Sequence, residues 1–138
     1  MFTSCSKSFN FVRDSTLREQ YKYTAKSNIL LIYYNADKKG DKVNVSMGVK
    51  NISGNYLKNL SLYFYIDGPY RLAKYIDLGN LKNRSVKYTN LQLNSDIDKI
   101  YVNYEYIPVD EDSFLLFDSE QSMDVYRSYK DSVTLFLP

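Results

Sequence analysis

The carboxylates Asp110, Glu111, Asp112, Asp118 and Glu120 crowd into one stretch of the chain. Oxygen-rich loops of this kind can hold calcium, but the EF-hand ligand order with its central glycine is absent. The stretch reads as a solvated acidic loop. A Ser–Lys pair is conceivable in principle, for instance Ser46 with Lys50, but nothing in the sequence marks it out. The sequence contains no histidine, which removes the commonest general base and the commonest zinc ligand. There is one cysteine, Cys5, so no disulfide framework forms within the chain. No glycine-rich phosphate loop occurs. These residues point away from an enzyme, and no cofactor and no metal site is expected.

The tyrosines offer a different chemistry. The sequence has 15 Tyr and 7 Phe with no Trp, an aromatic content of 16%. Tyrosine combines a flat apolar ring with a polar tip, so exposed tyrosines serve as contact points for proteins and sugars. Where they are exposed depends on the strands that carry them. In "LKNLSLYFYID", Leu60, Leu62, Phe64 and Ile66 share one parity, which turns Tyr63 and Tyr65 outward. In "DKIYVNYEYI", Ile100, Val102 and Tyr104 share the inner parity and Tyr101 faces out. Tyr63, Tyr65 and Tyr101 are therefore the candidate partner-binding residues. They make one patch only if the two strands are neighbours in one sheet. The bland alternative is that these rings pair across strands and simply cover a sheet.

Strand patterning extends through the chain from Asn28. "NILLIYYN" is an apolar run of strand length, and "ADKKGD" is a turn. "KVNVSMGVKNI" alternates, with Val43, Val45, Met47 and Val49 on one face. Within it Gly48 predicts a bulge or a close backbone approach. Asn51 and Gly54 are turn formers, Asn51 bonding its own backbone. "RLAKYIDLGNL" is a less regular strand with a turn near Gly79. In "RSVKYTNLQL", Val86 and Tyr88 share one parity and Leu91 and Leu93 the other, which predicts a bulge near Thr89 or Asn90. Pro108 is expected to end the penultimate strand, and "SVTLFLP" is the last. About seven strands at these spacings predict an all-β, antiparallel, immunoglobulin-like β-sandwich over 28–138. Its core should contain Val45, Met47, Val49, Leu60, Leu62, Phe64, Ile100, Val102 and Tyr104.

Residues 1–27 read as a flexible N-terminal tether, with a short helix at "DSTLREQYKY". A chain of 138 residues is one domain of ordinary size. Net charge is +2, which gives no electrostatic case for nucleic acid or an anionic membrane surface. No apolar run is long enough to span a bilayer as a helix.

"VSMGVKNISGNYLKNLSLYFYIDG" resembles the opening of FxLYD-type domains and related immunoglobulin-like modules of bacterial envelope proteins. The residues that carry the likeness are Val45 or Met47, Gly48, Val49, Asn51 and Ser53, then Leu60, Leu62 and Phe64, within roughly 43–107. The family's signature residues after the second strand are not matched. The start of this region is also similar to the adaptin ear, whose later motifs are absent. Both resemblances imply a sandwich, and a sandwich hosts many functions.

Phe2, Thr3, Ser4 and Cys5 resemble a lipobox, in which the cysteine becomes lipidated. This implies a basic and apolar signal segment ahead of Met1, which the sequence as given does not contain. The resemblance implies an envelope lipoprotein, periplasmic or anchored to the outer membrane, touching the membrane only through a lipid on Cys5. Its sandwich would bind another envelope protein or a glycan, and no nucleic acid. The competing expectation is a cytoplasmic or phage-borne assembly module, adaptin-ear-like or structural, in which Cys5 is a free thiol.

Overall fold

Alternation along each strand dictates two sheets, because each strand has one apolar face and must bury it against another. The computed structural model describes residues 14–66, 71–94, 97–110 and 127–137. It contains one short helix, α1 (Asp14–Gln20), followed by eight strands. These are β1 (Tyr23–Lys26), β2 (Leu30–Lys39), β3 (Lys42–Asn51), β4 (Tyr56–Ile66), β5 (Arg71–Leu81), β6 (Val86–Asn94), β7 (Lys99–Val109) and β8 (Tyr129–Phe136).

The strands form two four-stranded sheets, β1-β2-β3-β6 and β5-β4-β7-β8. Every pairing is antiparallel. The fold is an all-β, immunoglobulin-like sandwich. Strands β2, β3 and β6 correspond to A, B and E of the immunoglobulin scheme, and β4, β7 and β8 to C, F and G. The departure is β5. It pairs with β4 rather than completing the other sheet, which widens the β5-β4-β7-β8 face to four strands.

The expected core is present in full. Val45, Met47, Val49, Leu60, Leu62, Phe64, Ile100 and Val102 have no exposure, and Tyr104 has 1%. They belong to one continuous cluster with Leu30, Ile32, Tyr34 and Leu135 between the sheets. The buried Tyr104 hydroxyl donates to Ser27 Oγ at 2.5 Å, and its loss of water pushes its pKa up to about 12.

The structure corrects the sequence reading at several points. All seven expected strands exist, but an eighth, β1, lies inside the stretch read as a tether. Residues 14–26 belong to the folded unit: β1 pairs with β2, and Leu17 of α1 is fully buried. Residues 1–13, Cys5 among them, lie outside the described residues. No bulge occurs in β6, which keeps an unbroken register with β3 from Lys42↔Asn94 to Lys50↔Val86. The parity slip is real and has another cause. Leu91 and Leu93 face the core, while Val86 faces outward into a second apolar cluster with Leu17 and Tyr33 beneath α1.

Gly48 is a close approach rather than a bulge. A Cβ on it would stand 3.3 Å from both the Tyr88 ring and Val86 Cγ1. Gly79 is not a turn either. It sits inside β5 with φ at +70°, next to a register shift against Leu60 and Ser61. Strand β7 continues through Pro108, which pairs with Leu57. This position near the strand end tolerates a residue with no N–H.

Asn51 is fully buried at the β3–β4 turn. Its side-chain amide donates to Asn55 O at 2.7 Å and to Leu81 O at 2.9 Å. Its Oδ1 accepts from Ser53 N at 2.9 Å and Ser53 Oγ at 2.7 Å. The residue thus closes its own turn and also ties β3 to the end of β5 in the opposite sheet.

Candidate functional site

The outer face of β5-β4-β7-β8 is built by strand register. Antiparallel pairing sets Tyr65 opposite Tyr101 and Tyr63 opposite Asn103. On the other side of β4, Tyr63 lies opposite Tyr75, and Tyr65 opposite Leu72. The two tyrosine-bearing strands are thus immediate neighbours, and Tyr63, Tyr65 and Tyr101 share one surface. All three rings are half-buried, so each leaves part of its area to solvent.

The rings are braced. Tyr63 and Tyr75 have centroids 5.0 Å apart with planes at 49°, a tilted arrangement that aromatic pairs favour. The Tyr75 hydroxyl lies 3.2 Å from Ser61 Oγ. Lys99 Nζ sits 5.6 Å from the centre of the Tyr101 ring, within cation–π range. The Lys99 pKa is raised, first by its hydrogen bond to Tyr101 and next by the negative charge that ring can carry. The Tyr63 hydroxyl is raised too, by loss of surrounding water and then by the Glu105 carboxylate.

Several residues join this face that the strand pattern alone did not single out. Leu72 is 50% exposed and Tyr75 48% on the edge strand β5, and Phe136 is 65% exposed on β8 at the opposite edge. Asn103 and Glu105 share the parity of Tyr101, so alternation could have found them. Lys130 and Ser132 come from β8, opposite Glu105 and Asn103. Their placement depends on the β7–β8 pairing across a long connection, which has no signature in the sequence. Tyr63, Tyr65, Asn103, Tyr104, Glu105, Lys130, Asp131 and Ser132 line a groove of about 510 Å³ on this side of the sheet.

The other candidate chemistries separate. Ser46 and Lys50 lie four residues apart along the extended β3, about 13 Å at the rise of a strand, beyond any hydrogen bond. Of the acidic loop, Asp110 is exposed; Glu111, Asp112, Asp118 and Glu120 lie outside the described residues. Among the described residues no three His, Cys, Asp or Glu side chains converge as a metal site. No described helix is long and apolar enough to cross a membrane.

No family model matches the sequence, and no curated protein does. Among solved structures, the chain is similar to the GAE domain of GGA2p from Saccharomyces cerevisiae. The two are 13% identical, the match covers 82% of this chain and 92% of that one, and the TM-score is 0.47. The fold assignment rests on strand order and register.

Proposed function

We propose that this chain is a non-catalytic binding module of a bacterial cell-envelope lipoprotein, anchored through Cys5. It holds an envelope protein or a glycan on the outer face of β5-β4-β7-β8. The observation that carries the reading is the register of β4 with β7, which gathers Tyr63, Tyr65 and Tyr101 on one surface with part of each ring left to solvent. Aromatic rings held in place by neighbours lose little freedom on binding, which is what makes tyrosine an effective anchor.

The test has two arms. A photo-crosslinking residue at Asn103, in the native host, should give an adduct that the joint substitution Tyr63→Ala and Tyr65→Ala reduces at least about tenfold, as loss of aromatic anchors does. The double variant should unfold at nearly the same urea concentration as the parent, because these rings are half-exposed. Loss of folding instead would show the rings to be structural. Metabolic labelling with palmitate, using the gene with its own upstream sequence, should mark the protein, and Cys5→Ser should abolish the label. An unlabelled protein would remove the lipoprotein reading and leave the cytoplasmic alternative.

A further inference from the structure

We infer that the groove between Tyr63, Tyr65 and strand β8 is a binding site for a neutral, hydroxyl-rich ligand, an oligosaccharide. The inference rests on the binding-face reading above and narrows its partner class.

The chemistry of the two walls carries it. One wall is aromatic: Tyr63 and Tyr65 stand two residues apart on β4, about 7 Å along the strand, and present their rings side by side. The other wall and the floor are polar, with Asn103 and Glu105 on β7 and Lys130 and Ser132 on β8. The Asn103 amide can both donate and accept, Glu105 accepts, Lys130 donates, and Ser132 can do either. Among the described residues, none of these four side chains is spent on a hydrogen bond or ion pair within the protein. Glu105 and Lys130 are direct cross-strand partners, yet their side chains form no ion pair with each other. Both head groups therefore remain available to a ligand.

Charge decides between ligand classes. On the outer parity the groove carries Glu105 opposite Lys130, one charge of each sign, so it has no excess of positive charge to attract a phosphate, a sulfate or a uronate. A purely apolar ligand would strip water from Asn103, Glu105 and Lys130 without replacing their hydrogen bonds, which opposes binding. A sugar meets both demands. Its C–H faces lie against tyrosine rings, and its hydroxyls both donate and accept. The groove volume, about 510 Å³, falls in the range of small-molecule sites, roughly 300–1,000 Å³.

The experiment probes the whole chain with immobilised oligosaccharides, neutral ones (β-linked glucose, N-acetylglucosamine and mannose oligomers) beside anionic ones (uronate and sulfated oligomers). Any hit is then titrated in solution by amide NMR. The expected result is binding to at least one neutral oligomer, with shifts centred on Tyr63, Tyr65, Asn103, Glu105 and Ser132. Tyr65→Ala and Asn103→Ala should each weaken it at least about tenfold, and Tyr88→Ala, on the opposite sheet, should leave it unchanged. Binding to anionic oligomers alone, shifts elsewhere, or no binding to any oligomer would overturn the inference. If no sugar binds but the Asn103 crosslink still captures a protein in a Tyr63- and Tyr65-dependent way, the sugar inference fails and the binding face stands. If neither occurs, both fail.

Discussion

Two residues show how single side chains fix this fold. Asn51 was legible as a turn former from its place before "SGNY", and its own turn does use it. Its second role was not legible, because the bond to Leu81 O crosses to the other sheet and no local pattern reports a contact thirty residues away. Asn51→Leu keeps similar size but removes both donors. It takes the amide donor from the buried Leu81 O and the acceptor from Ser53 N, while Asn55 O keeps Ser53 Oγ, so a loss of about 2–3 kcal/mol is expected. Urea unfolding checks this: the midpoint should fall while the slope stays constant. Gly48 works by absence. The Tyr88 ring and Val86 occupy the space where a side chain would stand, which explains a glycine in the middle of a strand where it otherwise weakens the structure. Gly48→Val should cost about 1–3 kcal/mol by overpacking. A Tyr88→Ala background should recover part of that loss, since Tyr88 is the more exposed of the two obstacles. Equal losses in both backgrounds would assign the effect to Val86 and the backbone.

At the level of elements, alternation was read correctly wherever a strand has one wet face. Strands β4 and β7, and the first half of β3, have the expected inward residues because the opposite parity is left at least partly to water, which enforces the period. Alternation misled in β6 for a physical reason. Val86 is apolar on an outward face because α1 covers that face, and a covered outer position looks the same in sequence as an inward one. The bulge invoked to reconcile the parities is unnecessary once Leu17 and Tyr33 are seen to shelter Val86. Helix α1 has 7 residues, too few to be stable alone, so packing through Leu17 must hold it. Leu17→Ala should therefore cost about 2–3 kcal/mol and raise hydrogen exchange in α1 and the first half of β6, while the β4–β7 pairing stays protected. Uniform loss of protection would show instead that α1 and the sandwich unfold as one unit. The candidate site divides in the same way. Tyr63, Tyr65 and Tyr101 were legible from period two, whereas Lys130 and Ser132 were not, because β8 reaches β7 only after a connection that no hairpin rule governs.

For the molecule as a whole, the question is what joins the two sheets besides apolar contact, and tyrosine hydroxyls supply much of the answer. Tyr34 of the first sheet donates to Phe136 O at 2.7 Å and accepts from Phe136 N at 3.0 Å. It thereby occupies the main-chain N–H and C=O of Phe136 at the end of β8, an edge strand of the second sheet, which an added strand would need at that position. Tyr104 of the second sheet donates to Ser27, between β1 and β2. Each hydroxyl must stay protonated to donate. Burial raises the pKa of both, Tyr34 in spite of the opposing bond to Phe136, and Tyr104 to about 12. The direction of the pH effect follows. Below pH 10, the ordinary tyrosine value, the groups are neutral in both folded and unfolded chains and their contribution is intact. Above it the unfolded chain loses protons that the folded chain retains, so stability falls as pH rises from about 10 to about 12. The expected outcome is a urea midpoint that is steady up to about pH 9 and then declines, with tyrosinate absorbance lagging in the native protein and jumping on unfolding. Tyr104→Phe keeps the ring but removes the hydroxyl. It should lower stability near neutral pH by about 1 kcal/mol and make the alkaline decline shallower. A decline just as steep in that variant would move the effect to the other raised tyrosines, Tyr34 first, where Tyr34→Phe would also free the main chain of Phe136 at the end of the β8 edge and should raise the tendency to self-associate.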